Sequence, residues 1–320
     1  MKKITHVLGL MVATAFVVFG TTSNILAEPD WSQIEPQTVT IFYPGLTSWQ
    51  ILQSEDHGKG AKSVKKNKKS CAKCHISKKG EFDMAADEII AGTLTRAETG
   101  AAFETKPREG SGFMDIKVQA AYDAENIYIN VHWPSAGTSF NDASVAEKGM
   151  ADRVSVQLAG DKDKQFKNYG CYVTCHSDLK DMQEDAGKKL YADMSMRKGK
   201  PLAQDKMAMY IEKGRFIDQW VGAFHGSEIK TTDEFILGER TADNNDVTAA
   251  GSYADGNYNL TFTRALTTGD RGDIAINDGD MVYISIAIHE KNANSRFHYT
   301  SFPIALGLGA KKADVSAVKL

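Results

Sequence analysis

The sequence predicts a mainly β protein: a β-sandwich with a helical and loop-rich insertion, preceded by a small segment of helices and loops. Stretches of alternating apolar and polar residues recur after about residue 114, and Gly-containing turn signals separate the C-terminal ones. The part before residue 100 is rich in lysine and has few such stretches. With 320 residues, of which 42% are hydrophobic, the chain can build one large or two small domains.

Residues 1–27 are predicted to be a signal peptide. A short basic start precedes an apolar run from Val7 to Phe19, and small and polar residues follow that run. Because the run is shorter than the about 20 residues of a membrane-spanning helix, we expect a cleaved signal, with an uncleaved anchor as the alternative. Cleavage after Ala27 is the preferred site, and cleavage after Ser23 is the alternative, since Ile25 is not ideal at the -3 position. No later segment is apolar enough to span a membrane. We therefore expect a soluble periplasmic protein, and the formal net charge of -3 argues against general nucleic-acid binding.

Two regions follow the predicted signal peptide: an N-terminal segment of residues 28–100 and a β-sandwich domain of residues 101–320. The boundary lies in a stretch that contains glycine, serine and proline. Asp255-Gly256 and Asp278-Gly279 are predicted turns. The insertion is predicted to contain a helix over residues 202–213. The predicted strands are 115–121, 126–133, 154–158, 258–264, 281–289 and 297–304.

A Cys-X-X-Cys-His motif occurs in the N-terminal segment, at Cys71, Cys74 and His75. Covalent haem attachment needs two thiols that add across the two vinyl groups of the porphyrin, and the adjacent histidine then becomes an axial ligand of the iron. The export signal favours this interpretation, since covalent haem is attached outside the cytoplasm. A zinc knuckle, a thiol redox pair and a short disulfide are the alternatives.

An iron that only transfers electrons needs a second axial ligand, and two residues near the motif could supply it. His57 lies upstream and is followed by glycine, which lets a backbone approach a flat cofactor closely. Met84 would give a histidine–methionine pair and a higher reduction potential. We favour His57. A solvated loop histidine and ordinary core packing of the methionine are the alternatives.

A second cysteine pair, Cys171 and Cys175, is also followed directly by a histidine, His176. Three residues separate these cysteines, so the spacing departs from the usual haem motif. The cysteine–histidine adjacency is kept, and a second covalent haem and a local disulfide both remain open from spacing alone. His298 and His225 are further histidines that could serve as ligands.

Residues 115–306 resemble the haem-binding domain of ethylbenzene dehydrogenase gamma subunits, which serve molybdenum enzymes of the DMSO reductase family. The resembling stretches are 118–123, 152–157, 217–220, 263–266 and 268–270. The resemblance implies a β-sandwich with one haem, which in those subunits is a b-type haem held by methionine and lysine. Their methionine stretch matches Cys171–His176, and their lysine matches His298. The resemblance thus implies a cysteine-linked second haem with His176 and His298 as axial ligands.

The sequence therefore predicts a periplasmic dihaem c-type cytochrome that relays electrons and is not itself an enzyme. Its expected partner is a redox protein, either a molybdenum oxidoreductase or another cytochrome. Nine lysines and no acidic residue lie between Asp56 and Glu81, and this run could dock an acidic partner or form an ordinary solvated surface. A dihaem peroxidase-like oxidoreductase and an exported metal-binding β-protein without haem are the alternatives.

Overall fold

The computed structural model describes residues 28–174, 196–197, 200–201, 203–237, 239–291 and 297–320. The predicted signal peptide lies outside the described residues, and so do Cys175 and His176 of the second cysteine motif. Within the described ranges, no helix is both long enough and apolar enough to cross a membrane.

The described helices are short, and half of the α-helices lie before residue 100. The α-helices are α1 (Trp49–Gln53), α2 (Ala61–Lys65), α3 (Cys71–His75), α4 (Ala86–Ile90), α5 (Thr138–Asn141), α6 (Ala143–Glu147), α7 (Lys164–Tyr169) and α8 (Gln204–Glu212). Three 3₁₀ helices span Trp31–Gln33, Glu55–Gly60 and Gly170–Thr174.

Strands dominate the rest of the described chain. They are β1 (Gln37–Phe42), β2 (Phe113–Tyr122), β3 (Asn126–Pro134), β4 (Arg153–Gly160), β5 (Met196–Arg197), β6 (Lys200–Pro201), β7 (Ile217–His225), β8 (Glu228–Leu237), β9 (Glu239–Ala242), β10 (Thr248–Ala254), β11 (Asn257–Ala265), β12 (Met281–His289), β13 (Tyr299–Thr300), β14 (Ile304–Leu308) and β15 (Val315–Lys319). This confirms the prediction of a mainly β fold.

Thirteen of the described strands form one sheet, in the order β10-β11-β3-β2-β1-β13-β12-β4-β7-β8-β9. Strand β14 pairs with β12 and β15, and β15 returns parallel to β2. The sheet folds over so that its two halves face each other. Trp133 of β3 packs on Phe224 of β7 with ring centroids 6.2 Å apart, and Trp220 of β7 lies 6.1 Å from Phe262 of β11. The core therefore lies between two layers, as in a sandwich.

The N-terminal segment packs directly on this sandwich. Strand β1 pairs with β2 on one side and with β13 on the other. Trp49, Val64 and Ile90, which lie in or next to the short helices, belong to the same buried cluster as the strands. The boundary at residue 100 stays a prediction, and the structure shows that the segment before it contributes a strand and core residues to the sheet after it.

The predicted strand over residues 297–304 is interrupted. It divides into β13 and β14, because Phe302 and Pro303 lie between them and Pro303 has no N–H for the ladder. The Asp255-Gly256 turn joins β10 to β11 with positive φ at both residues, +50° and +75°, as a tight two-residue hairpin requires.

Candidate functional site

Two histidine rings lie close together and nearly parallel in the N-terminal segment. His75 ends α3, and His57 lies in the 3₁₀ helix Glu55–Gly60. Their ring centroids are 6.1 Å apart, and their planes differ by only 14°. The structure thus brings together two residues that the sequence analysis had proposed as opposite ligands of one iron.

Hydrogen bonds to backbone carbonyls fix the orientation of both rings. Nδ1 of His57 lies 2.8 Å from the carbonyl oxygen of Leu52, and Nδ1 of His75 lies 2.9 Å from that of Asp83. Because a carbonyl oxygen only accepts hydrogen bonds, each Nδ1 carries the proton. In the neutral form of each ring the lone pair then resides on Nε2, which is the atom left to bind a metal.

The distance between the rings fits an iron bound between them. An imidazole nitrogen binds a metal at about 2 Å, so two rings on opposite sides of one metal have their centroids roughly 6 Å apart. The observed separation of 6.1 Å agrees with that arrangement. Two imidazoles in direct contact would stack much more closely, as His289 and His298 do at 4.6 Å. The pair His57–His75 therefore has the spacing of two axial ligands.

A buried ion pair anchors the turn that carries His57. Nε of Arg96 lies 2.7 Å from Oδ2 of Asp56, and the Asp56 side chain is fully buried. Burial alone would raise the pKa of the Asp56 carboxyl, but hydrogen bonds from the Glu98 N–H and from Arg96 hold that pKa below its usual value. The Asp56 carboxylate is therefore ionised, and its ion pair with Arg96 holds the turn next to His57 in place.

A cavity of about 320 Å³ opens beside the two rings. It is lined mainly by apolar side chains, and both Cys71 and Cys74 reach it. Met84, the alternative ligand, also lies in its wall. Burial lowers the pKa of His57, which keeps this ring neutral at pH 7. An apolar cavity with two thiols and two imidazoles fits a porphyrin bound through its vinyl groups and its iron.

A second, more open cavity of about 590 Å³ continues from the same rings to the surface. Exposed lysines line its mouth, so its outer rim is strongly basic. These lysines are Lys59, Lys62, Lys68 and Lys69.

Gly60 makes room for the His57 ring, a role that the sequence analysis had not assigned. A Cβ at residue 60 would lie 2.6 Å from Cε1 and 2.7 Å from Nε2 of His57. Gly58, which the sequence analysis singled out for close approach, instead adopts φ +53° and has open space around it. Gly60 is therefore the glycine that the site requires, and Gly58 serves the turn.

The Cys71 thiol is protonated in the folded chain. Burial raises the pKa of Cys71 to about 12, with smaller contributions from Cys171 and Cys74. The three cysteines among the described residues are free thiols. Since a reactive thiol or a zinc ligand needs an accessible thiolate, this environment does not favour a thiol redox pair. Across the described ranges, Cys71, Cys74 and His75 are not gathered around one point as zinc ligands would be.

Cys171 of the second motif is buried close to this site. Its Sγ lies 2.6 Å from Oγ1 of Thr300 in β13. Burial raises the pKa of its thiol, although the hydrogen bond from Thr300 opposes this. Thr300 comes two residues after His298, the histidine proposed as the distal ligand of the second haem.

Phe297 and Tyr299 line a small cavity. Because side chains alternate along an extended chain, we expect His298 and Thr300 to lie on the opposite face. The His298 ring stacks on His289 of β12 with centroids 4.6 Å apart. His225 lies at the far end of β7, half-buried. Three half-buried residues on successive strands are aligned with Thr300 in the register of the sheet. Their side chains are small or short; they are Ala287, Ser155 and Val221.

Several residues that shape the site carry no local sequence signal. Phe302 lies 6.3 Å from His75, and Tyr172 lines the main cavity together with Tyr169. They come from regions far from the first motif in the chain, and only the pairing of β13 with β1 and β12 brings Phe302 there. No spacing rule could have identified them.

Comparison with known proteins gives three findings. A family model described as ethylbenzene dehydrogenase matches residues 28–221 and 180–301. Cytochrome c-552 of Stutzerimonas stutzeri is 28% identical over 319 residues, covering 95% of this chain and 96% of that protein. Cytochrome c-551 of Rhodocyclus tenuis is 27% identical over 293 residues, covering 91% of this chain and 99% of that protein.

Among solved structures, a carbohydrate binding module of family 9 from Caldicellulosiruptor kristjanssonii, in complex with glucose, covers 59% of this chain and 66% of its own. Its TM-score is 0.31 and its identity 9%. This overlap is too small to support a conclusion.

Replacing Gly60 should disturb the ligand pair specifically. Residue 60 has an ordinary helical φ of -68°, so Gly60→Ala adds no backbone strain and only pushes against the His57 ring. Gly58→Ala is the matched control, since it meets no neighbour but carries a strained φ that should lower the unfolding free energy by about 1 kcal/mol. We expect Gly60→Ala to alter the visible absorption spectrum of the haem-loaded protein and Gly58→Ala to leave it unchanged. An unaltered spectrum in Gly60→Ala would contradict the assignment.

Proposed function

The chain belongs to the ethylbenzene dehydrogenase family, as its resemblance to the gamma subunits had predicted, and from that premise we propose that it is a periplasmic dihaem c-type cytochrome that relays electrons. The parallel His57–His75 pair is the observation that carries the proposal. The cytochrome names of the two relatives, which match the chain over nearly its whole length, support it independently.

The first haem is assigned to the cavity in the N-terminal segment. Cys71 and Cys74 supply the thioether links, and His75 and His57 supply the axial nitrogens. A bound haem supplies an iron that gains or loses one electron. The chain's own contribution is to keep the two rings nearly parallel, 6.1 Å apart, and to hold them through the carbonyls of Leu52 and Asp83. Carbonyls that fix both rings in advance limit the rearrangement that accompanies a change of charge.

The second haem is assigned to the β-domain. Cys171 and Cys175 would link it, His176 would be its proximal ligand, and His298 its distal ligand. Cys175 and His176 lie outside the described residues. What supports the proposal is the close approach of Cys171 to Thr300, two residues from His298, and the small side chains on the adjoining face of the sheet. His225 is the alternative distal ligand.

The two proposed haem sites adjoin each other, which suits an electron relay. Phe302 contacts the first site at His75, and Thr300, two residues earlier, contacts Cys171 of the second. Cys171 lies close enough to Cys71 to contribute to the raised pKa of the Cys71 thiol. A short path between sites favours rapid transfer within one molecule over independent reactions at the surface.

Electron transfer fits the geometry better than catalysis at the first site. Imidazoles on both sides of one iron leave no open position where a peroxide or another small substrate could bind.

The basic rim formed by Lys59, Lys62, Lys68 and Lys69 offers a docking surface for an acidic redox protein. We propose a molybdenum oxidoreductase or another cytochrome as that partner.

The number of covalent haems tests the proposal most directly. Intact mass spectrometry of protein from a host that matures cytochromes c should show two added haem masses. The double variant Cys71→Ala/Cys74→Ala should retain one, and its pyridine haemochrome absorbance should fall by half. A single haem in the parent protein would refute the second site, and a mass without haem would refute the function.

Ligand variants distinguish the axial residues. His57→Ala should convert one haem from a low-spin to a high-spin spectrum, since an axial nitrogen is lost, whereas Met84→Ala should leave the spectrum unchanged. His298→Ala should alter only the other haem. The reverse outcome, an effect of Met84→Ala without one of His57→Ala, would assign the methionine as the ligand.

The basic rim predicts how oxidation rates depend on salt. Oxidation of the reduced protein by ferricyanide, an anion, should slow as ionic strength rises, because salt screens the attraction of the lysines. The variant Lys62→Gln/Lys68→Gln should show a weaker salt dependence, whereas Lys148→Gln/Lys230→Gln, exposed lysines elsewhere, should behave as the parent. Equal salt dependence in both variants would contradict docking at the rim.

A further inference from the structure

Three aspartates meet in the interior at one edge of the sandwich, far in sequence from the haem motifs. They are Asp218 of β7, Asp233 of β8 and Asp273, which precedes β12. One carboxylate oxygen from each lies within 4.8 Å of the others. Asp218 and Asp233 are buried, and the Asp273 side chain is 4% exposed. Neither proposed haem site uses them.

A single arginine neutralises only part of this cluster. The Arg264 guanidinium donates to Oδ2 of Asp218 and lies 3.3 Å from Oδ1 of Asp273. The remaining oxygens, Oδ1 of Asp218, Oδ2 of Asp273 and Oδ1 of Asp233, are buried and have no hydrogen-bond partner among the described residues. Buried carboxylate oxygens without partners are costly, and a cation bound within the cluster would satisfy them.

A fourth carboxylate approaches the same place. The charge of Asp243 acts on Asp233, and the charge of Asp273 acts on Asp243. A Cβ at residue 272 would lie 1.7 Å from Oδ2 of Asp243, so only glycine lets this carboxylate come so close. Gly272 therefore makes room for the Asp243 carboxylate beside a cluster that already has an excess of negative charge.

The charge balance requires a counter-charge. Four carboxylates face one guanidinium, and burial raises the pKa of Asp218 and of Asp233 to about 7 and that of Asp243 to about 6. Like charges in the cluster add to each of these shifts. Either protons or a cation must offset the excess charge when the chain is folded at neutral pH.

We propose that Asp218, Asp233 and Asp273, with Asp243 beside them, bind a calcium ion. All donor atoms are oxygens, which hard divalent cations prefer. Oxygens within 4.8 Å of one another can share an ion whose bonds to oxygen are about 2.4 Å long. Calcium fits better than magnesium, because it tolerates irregular geometry and a mixture of carboxylates and carbonyls, whereas magnesium demands a near-ideal octahedron.

The ion would connect separate parts of the sandwich. Asp218 and Asp233 come from adjacent strands, and Asp243 follows β9. Asp273 lies in the connection from β11 to β12, which crosses from one layer to the other. The site is therefore structural, and it holds this connection against the β7–β8 pair without taking part in electron transfer.

Calcium binding can be measured on the haem-loaded protein. After treatment with EDTA and its removal, isothermal titration with calcium chloride should show one ion bound per chain. At calcium concentrations about 100 times the Kd, the Tm should rise by about 5 °C, with no change in the haem spectrum. Absence of both the binding heat and the shift in Tm would overturn the proposal, whatever the haem content.

Substitutions distinguish the two possible sources of balancing charge in the cluster, a bound cation and bound protons. Asp233→Asn should abolish the calcium heat and lower the Tm to that of the EDTA-treated parent. Asp255→Asn, in an exposed turn, is the matched control and should bind calcium as the parent does. If protons alone balance the cluster, Asp233→Asn should instead raise the Tm, because the amide is buried without having to take up a proton. The parent titration remains decisive if the Asp233 variant does not accumulate.

Discussion

The position of Thr300 in the sheet holds the two proposed haem sites together. Thr300 pairs with Phe42 of β1 on one side and with Ala287 of β12 on the other, so the N-terminal segment and the β-domain are joined at this residue. Its hydroxyl contacts Cys171, and the chain continues to Phe302, which lies against His75. A slip of one residue in either pairing would turn these side chains to the opposite face. The relay that we propose therefore depends on one strand register.

Local interactions, by contrast, determine the geometry within the first site. The 3₁₀ turn carrying His57 is held by the buried Asp56–Arg96 pair, and Gly60 leaves space for the ring. The ring orientations follow from hydrogen bonds to backbone carbonyls, which do not ionise and do not depend on distant side chains. The first site is thus built from interactions near the motif, and the sandwich contributes the wall that encloses it.

The sequence allowed the strands with clear alternation to be predicted, and β3 and β12 agree closely with the structure. Strand β1 was missed because it lies in the segment that the sequence assigned to helices and loops, and β8 and β10 because their outward residues are mostly polar. The motif predicted Cys71, Cys74 and His75, and proximity suggested His57. The role of Gly60 and the aspartate cluster were not predictable, because both depend on distances between side chains that no spacing rule encodes.

The long-range position of β13 also bears on how the molecule folds. Its pairing with β1 joins residues near opposite ends of the described chain, and contacts of such large sequence separation form slowly, since the intervening chain must first be ordered. The turn of His57 and the helix of His75 need only neighbouring residues and can form early. The ligand pair can therefore take shape while its enclosing wall is still absent, and exclusion of water from the cavity is expected as a late folding event.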